Sequence, residues 1–173
     1  VRQLKAARDN VIIFVDEPYL VSFGSAFVSL SREQVIAYLD EVFDAIHAEG
    51  ALAGVHCCGN TDWSVLLATK VDILNLDAYG FIEHLALYPH EVRAFVDRGG
   101  LIAWGIVPNN ELITQVTAQS LADKLRGGFD LISTKAGARG VTIRSAELAQ
   151  RSLIAPSCGL GSTTIDIAER VID

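Results

Sequence analysis

Short, nearly all-apolar runs rich in β-branched residues alternate along this chain with stretches of helical periodicity, and no other feature restricts the fold as strongly. The apolar runs fall at residues 11–16 (VIIFVD), 51–58, 71–77 (VDILNLD), 101–107 and 153–157. They are strand-sized, and they do not alternate apolar with polar, as expected when both faces of a strand are covered. Helical patterns separate them. Ser31 with Gln34 three residues later is a capping box, and Val35, Ile36, Leu39, Val42, Phe43 and Ile46 follow at helical spacing up to Gly50. Further helices are expected at about 60–69, at 89–98 with Pro89 in the first turn, at 119–135 interrupted by Gly127 and Gly128, at 146–151 and at 165–171.

Strand–helix alternation predicts an α/β fold with a parallel sheet. Two closures fit: an open doubly wound sheet, complete with five strands, or a (β/α)₈ barrel. A barrel typically takes about 250 residues, so this chain would be roughly its C-terminal five βα units. No GxGxxG pattern follows the first strand, which weakens the dinucleotide-binding version of the open sheet. The 173 residues suit a single domain spanning 1–173, without repeat, low-complexity tract or linker. The chain opens at Val1 and contains no methionine, which reads as a processed chain or a fragment. Half the residues are hydrophobic, enough for a packed core and incompatible with disorder. A net charge of −7 argues against nucleic-acid and anionic-membrane partners. The apolar runs are far shorter than the roughly 20 residues of a membrane-spanning helix, and no export signal opens the chain, so a cytoplasmic location is expected. Segment 17–30 is long and apolar (Tyr19, Leu20, Phe23, Phe27) and reads equally as a pocket wall or as a loop folded on the core.

In a parallel sheet, working residues collect at the carboxyl ends of the strands. Those ends carry Asp16-Glu17-Pro18, His56-Cys57-Cys58, Asp77 and Ser157-Cys158-Gly159. His56 and Cys58 are two apart on a strand and share a face, with Cys57 directed into the helix layer. Together with Cys158 they make three candidate zinc ligands, with Asp77 a candidate fourth unless that position is left for substrate. Zinc so held lowers the pKa of a bound thiol. Blander readings remain for the same residues: a hydrogen-bonded core histidine, cysteines as small hydrophobes, a Cys58–Cys158 disulfide, Asp16 as a cap or ion-pair partner and Asp77 as an ordinary strand-end acid.

Three segments resemble a known family. Val15-Asp16-Glu17-Pro18-Tyr19-Leu20 resembles the DEPxL strand end of cobalamin-independent methionine synthases. Gly54-Val55-His56-Cys57-Cys58-Gly59-Asn60-Thr61 resembles the HxCGNT segment that these enzymes share with methylcobamide:coenzyme M methyltransferases. Ala155-Pro156-Ser157-Cys158-Gly159-Leu160-Gly161 resembles the PxCGL segment near the methionine synthase C-terminus. The three come in the family's order, within the wider superfamily that includes uroporphyrinogen decarboxylase. The resemblance implies a (β/α)₈ barrel and methyl transfer to a zinc-activated thiol. It implies His56, Cys58 and Cys158 as zinc ligands, Asp77 where the family has a glutamate ligand, and Asp16 on the amino group of a homocysteine-like acceptor. Where methionine synthases carry Asp–x–His after the fourth strand, this chain reads Pro108-Asn109-Asn110. The first barrel strands and a preceding folate-binding domain are not in the sequence. The donor is therefore open between methyl-folate and a methyl-corrinoid protein. The competing readings are a metal-free lyase of the uroporphyrinogen decarboxylase type, which needs cationic side chains at the rim, and an incomplete barrel acting as a binding or assembly module.

Overall fold

The computed structural model describes residues 1–25 and 28–173. Among them, five strands form one all-parallel sheet in sequence order: β1 (Ile12–Asp16), β2 (Leu52–Cys57), β3 (Ile73–Leu76), β4 (Leu101–Val107) and β5 (Ser152–Pro156). The helices are α1 (Arg2–Lys5), α2 (Arg32–Ala48), α3 (Trp63–Ala68), α4 (Ala78–Leu85), α5 (Pro89–Asp97), α6 (Ala118–Gly137), α7 (Ser145–Gln150) and α8 (Ile165–Ile172). The α/β class and the parallel sheet are as the alternation of patterns predicts. No helix of the described residues is long and apolar enough to cross a membrane.

Strand order decides how the layers form. Each crossover steps the same way across the sheet, and right-handed crossovers in one direction put the connecting helices on one face. A doubly wound sheet would reverse its strand order part-way; this one does not. Side-chain phase agrees. Val55, Cys57, Leu74, Leu76, Ile102 and Trp104 point one way into the main core, where they meet Phe43, Leu66, Phe95 and Ile132 from the helices. The Trp104 ring lies 5.1 Å from that of Phe129, and its indole N–H donates to Ser152 Oγ at 2.7 Å. The opposite phase is different. Ile12, Phe14, Leu52 and Leu153 remain 40–47% exposed. The expectation that both faces are covered therefore holds at the sheet centre, where Ile73 and Ala103 of this phase are buried, and fails at β1, β5 and the start of β2; on the helix side Ile154 is 60% exposed.

Local chemistry explains most element ends. Ser31 Oγ accepts from the Gln34 N–H and the Gln34 side chain accepts from the Ser31 N–H, closing the expected capping box of α2. Three helices depart from expectation. α1 (Arg2–Lys5) and α4 were not anticipated; α4 is eight residues long, distorted at Phe81, and begins where Asp77 Oδ1 accepts from the Gly80 N–H. α6 runs unbroken through Gly127 and Gly128. A Cβ at Gly128 would lie 2.1 Å from Ile82 Cδ1, so this glycine permits close approach of α6 to α4 rather than ending the helix. In segment 17–30, Pro18–Ser22 forms a 3₁₀ turn with Leu20 buried and Tyr19 82% exposed. Thr61 Oγ1 donates to the Leu20 carbonyl at 2.6 Å, tying this turn to the loop after β2. Phe27 lies outside the described residues.

Candidate metal centre

The strand register sets the site. Asp16 pairs with His56, His56 with Asn75, and Asn75 with Ala103, so these four occupy one row across β1–β4. In a parallel sheet, residues in one row project from the same face. Here it is the face away from the helices. One level nearer the carboxyl ends, Cys58 follows β2 and Cys158 follows β5. A cavity of about 560 Å³ opens there, lined by Phe14, Asp16, Glu17, His56, Cys58, Asn75, Ala103 and Cys158 among others. Gly54 makes room below it. A Cβ at that position would sit 2.6 Å from the Phe14 ring, so glycine lets the aromatic lie flat across β2.

His56 Nδ1/Nε2, Cys58 Sγ and Cys158 Sγ offer ligand atoms that all lie within 4.8 Å of one another. Tetrahedral coordination at the usual N and S bond lengths needs separations of roughly 3.6–3.8 Å, a closure of about an ångström at most. Burial pushes the Cys158 thiol above the ordinary thiol range, and the neighbouring Cys58 adds to the shift. All three cysteines are free. Cys57 faces the other way, as its position between His56 and Cys58 predicts. It is fully buried in the main core, and burial raises its thiol to about 11.

The histidine is held from behind. Its Nδ1 lies 2.5 Å from Asn75 Oδ1, and Asn75 Nδ2 donates to the Ala103 carbonyl at 2.7 Å. Its Nε2 is buried and has no hydrogen-bond partner. A buried imidazole nitrogen without a partner is costly unless something binds it, and this one belongs to the three-residue cluster.

The cysteine on the far side is also braced. Asn109 Nδ2 donates to the Gly159 carbonyl at 3.0 Å, and Ser157 Oγ donates to Asn109 Oδ1 at 3.0 Å. The Asn109 N–H in turn donates to Ser157 Oγ at 3.3 Å. Asn109 thus grips the residues on both sides of Cys158.

Of the residues expected at the site, His56, Cys58 and Cys158 come together, and Asp16 lines the same cavity. Asp77 is not part of the metal-capable group; its carboxylate is engaged at the N-terminus of α4. Burial raises its pKa, against the Gly80 and Tyr79 N–H groups that favour the carboxylate. Glu17, on the cavity rim, is likewise raised by burial. Asn75 and Asn109 escaped the sequence reading. Asn75 had a signal, being the polar residue inside the strand run VDILNLD; Asn109 had none, because its partners are about fifty residues away. Comparison of the chain with protein-family models, with curated proteins and with solved structures found no match.

Proposed function

We propose that this chain is part of a (β/α)₈ barrel enzyme that transfers a methyl group to a thiol, with zinc held by His56, Cys58 and Cys158. The observation that carries the reading is the meeting of one imidazole with two thiols from the ends of β2 and β5, on a histidine whose Nε2 is buried and has no hydrogen-bond partner. Mixed nitrogen and sulfur donors suit zinc, and three protein ligands leave a fourth position for substrate. When bound, zinc supplies the Lewis acidity that makes a coordinated thiol a thiolate at neutral pH.

The chain's own residues do the rest. Asp16 places a carboxylate on the cavity wall beside the cluster, where it attracts a cationic group of the acceptor, such as the amino group of a homocysteine-like thiol. Phe14, Ala103, Ala155 and Leu160 give the cavity wall an apolar lining beside the cluster. With Asp77 capping α4, the fourth position falls to the thiol. The sequential sheet supports the barrel: on the face away from the helices it exposes Ile12, Phe14, Leu52 and Leu153, which further strands would enclose. The donor is a methyl-folate or a methyl-corrinoid protein. Against the lyase reading, the cavity lining contains Asp16 and Glu17 and, among the described residues, no lysine or arginine for propionates.

Metal analysis tests this first. About one zinc per intact barrel is expected, lost in Cys58→Ser and in Cys158→Ser, and the zinc-loaded intact barrel should methylate homocysteine when given a methyl donor. A folded chain that takes up no zinc would overturn the reading. Asp16→Asn should weaken acceptor binding while zinc content stays the same.

A further inference from the structure

The geometry points to Asn75 as a positioning residue that locks His56 in the Nδ1–H tautomer and so leaves the Nε2 lone pair free for an ion shared with Cys58 and Cys158. The inference deepens the zinc reading above, but its first step stands without any metal. It begins at the Ala103 carbonyl, which can only accept a hydrogen bond. The atom of the Asn75 amide 2.7 Å from it must therefore be the nitrogen. That fixes the amide orientation and turns Oδ1 toward His56 Nδ1, 2.5 Å away. An amide oxygen can only accept, so Nδ1 must carry the proton. A neutral imidazole protonated on Nδ1 has its lone pair on Nε2. Nε2 is the buried atom left without a partner, on a residue of the metal-capable cluster.

The chain of bonds is rigid at its origin. Ala103 sits on β4 and Asn75 on β3, both in the register that aligns them with His56. Asn75 is itself only 9% exposed, with its amide engaged on both sides. The backbone of one strand thereby selects a tautomer two strands away. Solvent-exposed imidazole prefers the other tautomer, whose proton on Nε2 would occupy the lone pair and block coordination through that atom. Partners behind a metal-binding histidine commonly set its affinity by 10–100-fold.

Three measurements test the role. In metal-free wild type, ¹⁵N NMR of the His56 ring should show a protonated Nδ1 and an unprotonated Nε2. Asn75→Leu removes the acceptor at similar volume; His56 should shift toward the Nε2–H form, and zinc affinity, measured by competition with a chromophoric chelator, should fall about 10–100-fold. Asn75→Asp keeps an acceptor facing Nδ1–H and, as the protonated acid, a donor to the Ala103 carbonyl, and it should retain the wild-type tautomer. An Nε2–H wild type, or an Asn75→Leu protein with unchanged tautomer and affinity, would overturn the assignment. Should Asn75→Leu not fold, the wild-type spectrum and Asn75→Asp still decide it. A wild type that binds no zinc but shows Nδ1–H defeats the zinc reading while supporting the role of Asn75.

Discussion

Replacing Asn109 with alanine isolates the contribution of loop placement to the proposed metal centre, because Asn109 touches no ligand atom in the cluster. The substitution removes two side-chain hydrogen bonds, one to the Gly159 carbonyl and one from Ser157 Oγ, and leaves the backbone bond from the Asn109 N–H intact. Each such bond contributes about 0.5–1.5 kcal/mol net. The Gly159 bond is exposed, which puts the pair in the lower half of that range, at about 1–2 kcal/mol. In Asn109→Ala, the loop carrying Cys158 samples more conformations, and binding must reorder it. If the whole loss appears in binding, zinc affinity falls roughly 5- to 30-fold, at tenfold per 1.4 kcal/mol. Chelator competition reads the affinity, and urea unfolding of the metal-free protein reads the stability. Asn109→Asp keeps the acceptor for Ser157 and loses the donor to Gly159, so it should fall between wild type and alanine. A variant with lowered urea midpoint but unchanged zinc affinity would refute the idea that this loop limits binding.

The adjacent cysteines should behave oppositely. Cys57→Ser places a hydroxyl in the main core and should cost about 1–3 kcal/mol of stability at unchanged zinc stoichiometry; Cys58→Ser should keep its stability and lose the metal, with urea melts and metal analysis reading the two effects. Gly105→Ala should destabilise the end of the sheet by about 1–3 kcal/mol or more, since its Cβ would lie 2.5 Å from the Leu76 carbonyl oxygen and 2.9 Å from that of Pro156; the urea midpoint checks it. Two 2.7 Å bonds from Arg93 hold Glu147 below the ordinary carboxylate range. That contribution is complete above the unfolded-state pKa and is lost as pH falls through the depressed folded-state value. Glu147→Gln should thus be less stable than wild type at neutral pH, with the gap closing in acid.

Periodicity and capping made most of the architecture readable from the residues alone. Apolar β-branched runs marked all five strands to within a residue or two at most ends, and the α2 capping box was readable from Ser31 and Gln34, because hydrogen bonds within one turn depend on neighbours in the chain. The same period-two logic assigned Cys57 to the core and paired His56 with Cys58. Helix α4 was missed because its start depends on one aspartate cap and its eight residues are too short for a clear period. Gly127 and Gly128 looked like a break because propensity counts the entropy of glycine, whereas the packing of Gly128 against Ile82 is a tertiary contact.

Residue type and spacing alone therefore determined a parallel α/β sheet and a rim bearing imidazole, thiol and carboxylate groups. Tertiary structure decided which of these meet. It brought Cys158 to His56 across about a hundred residues, left Asp77 on the α4 cap, and set Asn75 against His56 and Asn109 beside Cys158. Sheet register and loop packing bring together residues far apart in the sequence, and the residue spacing along one chain does not encode those distances.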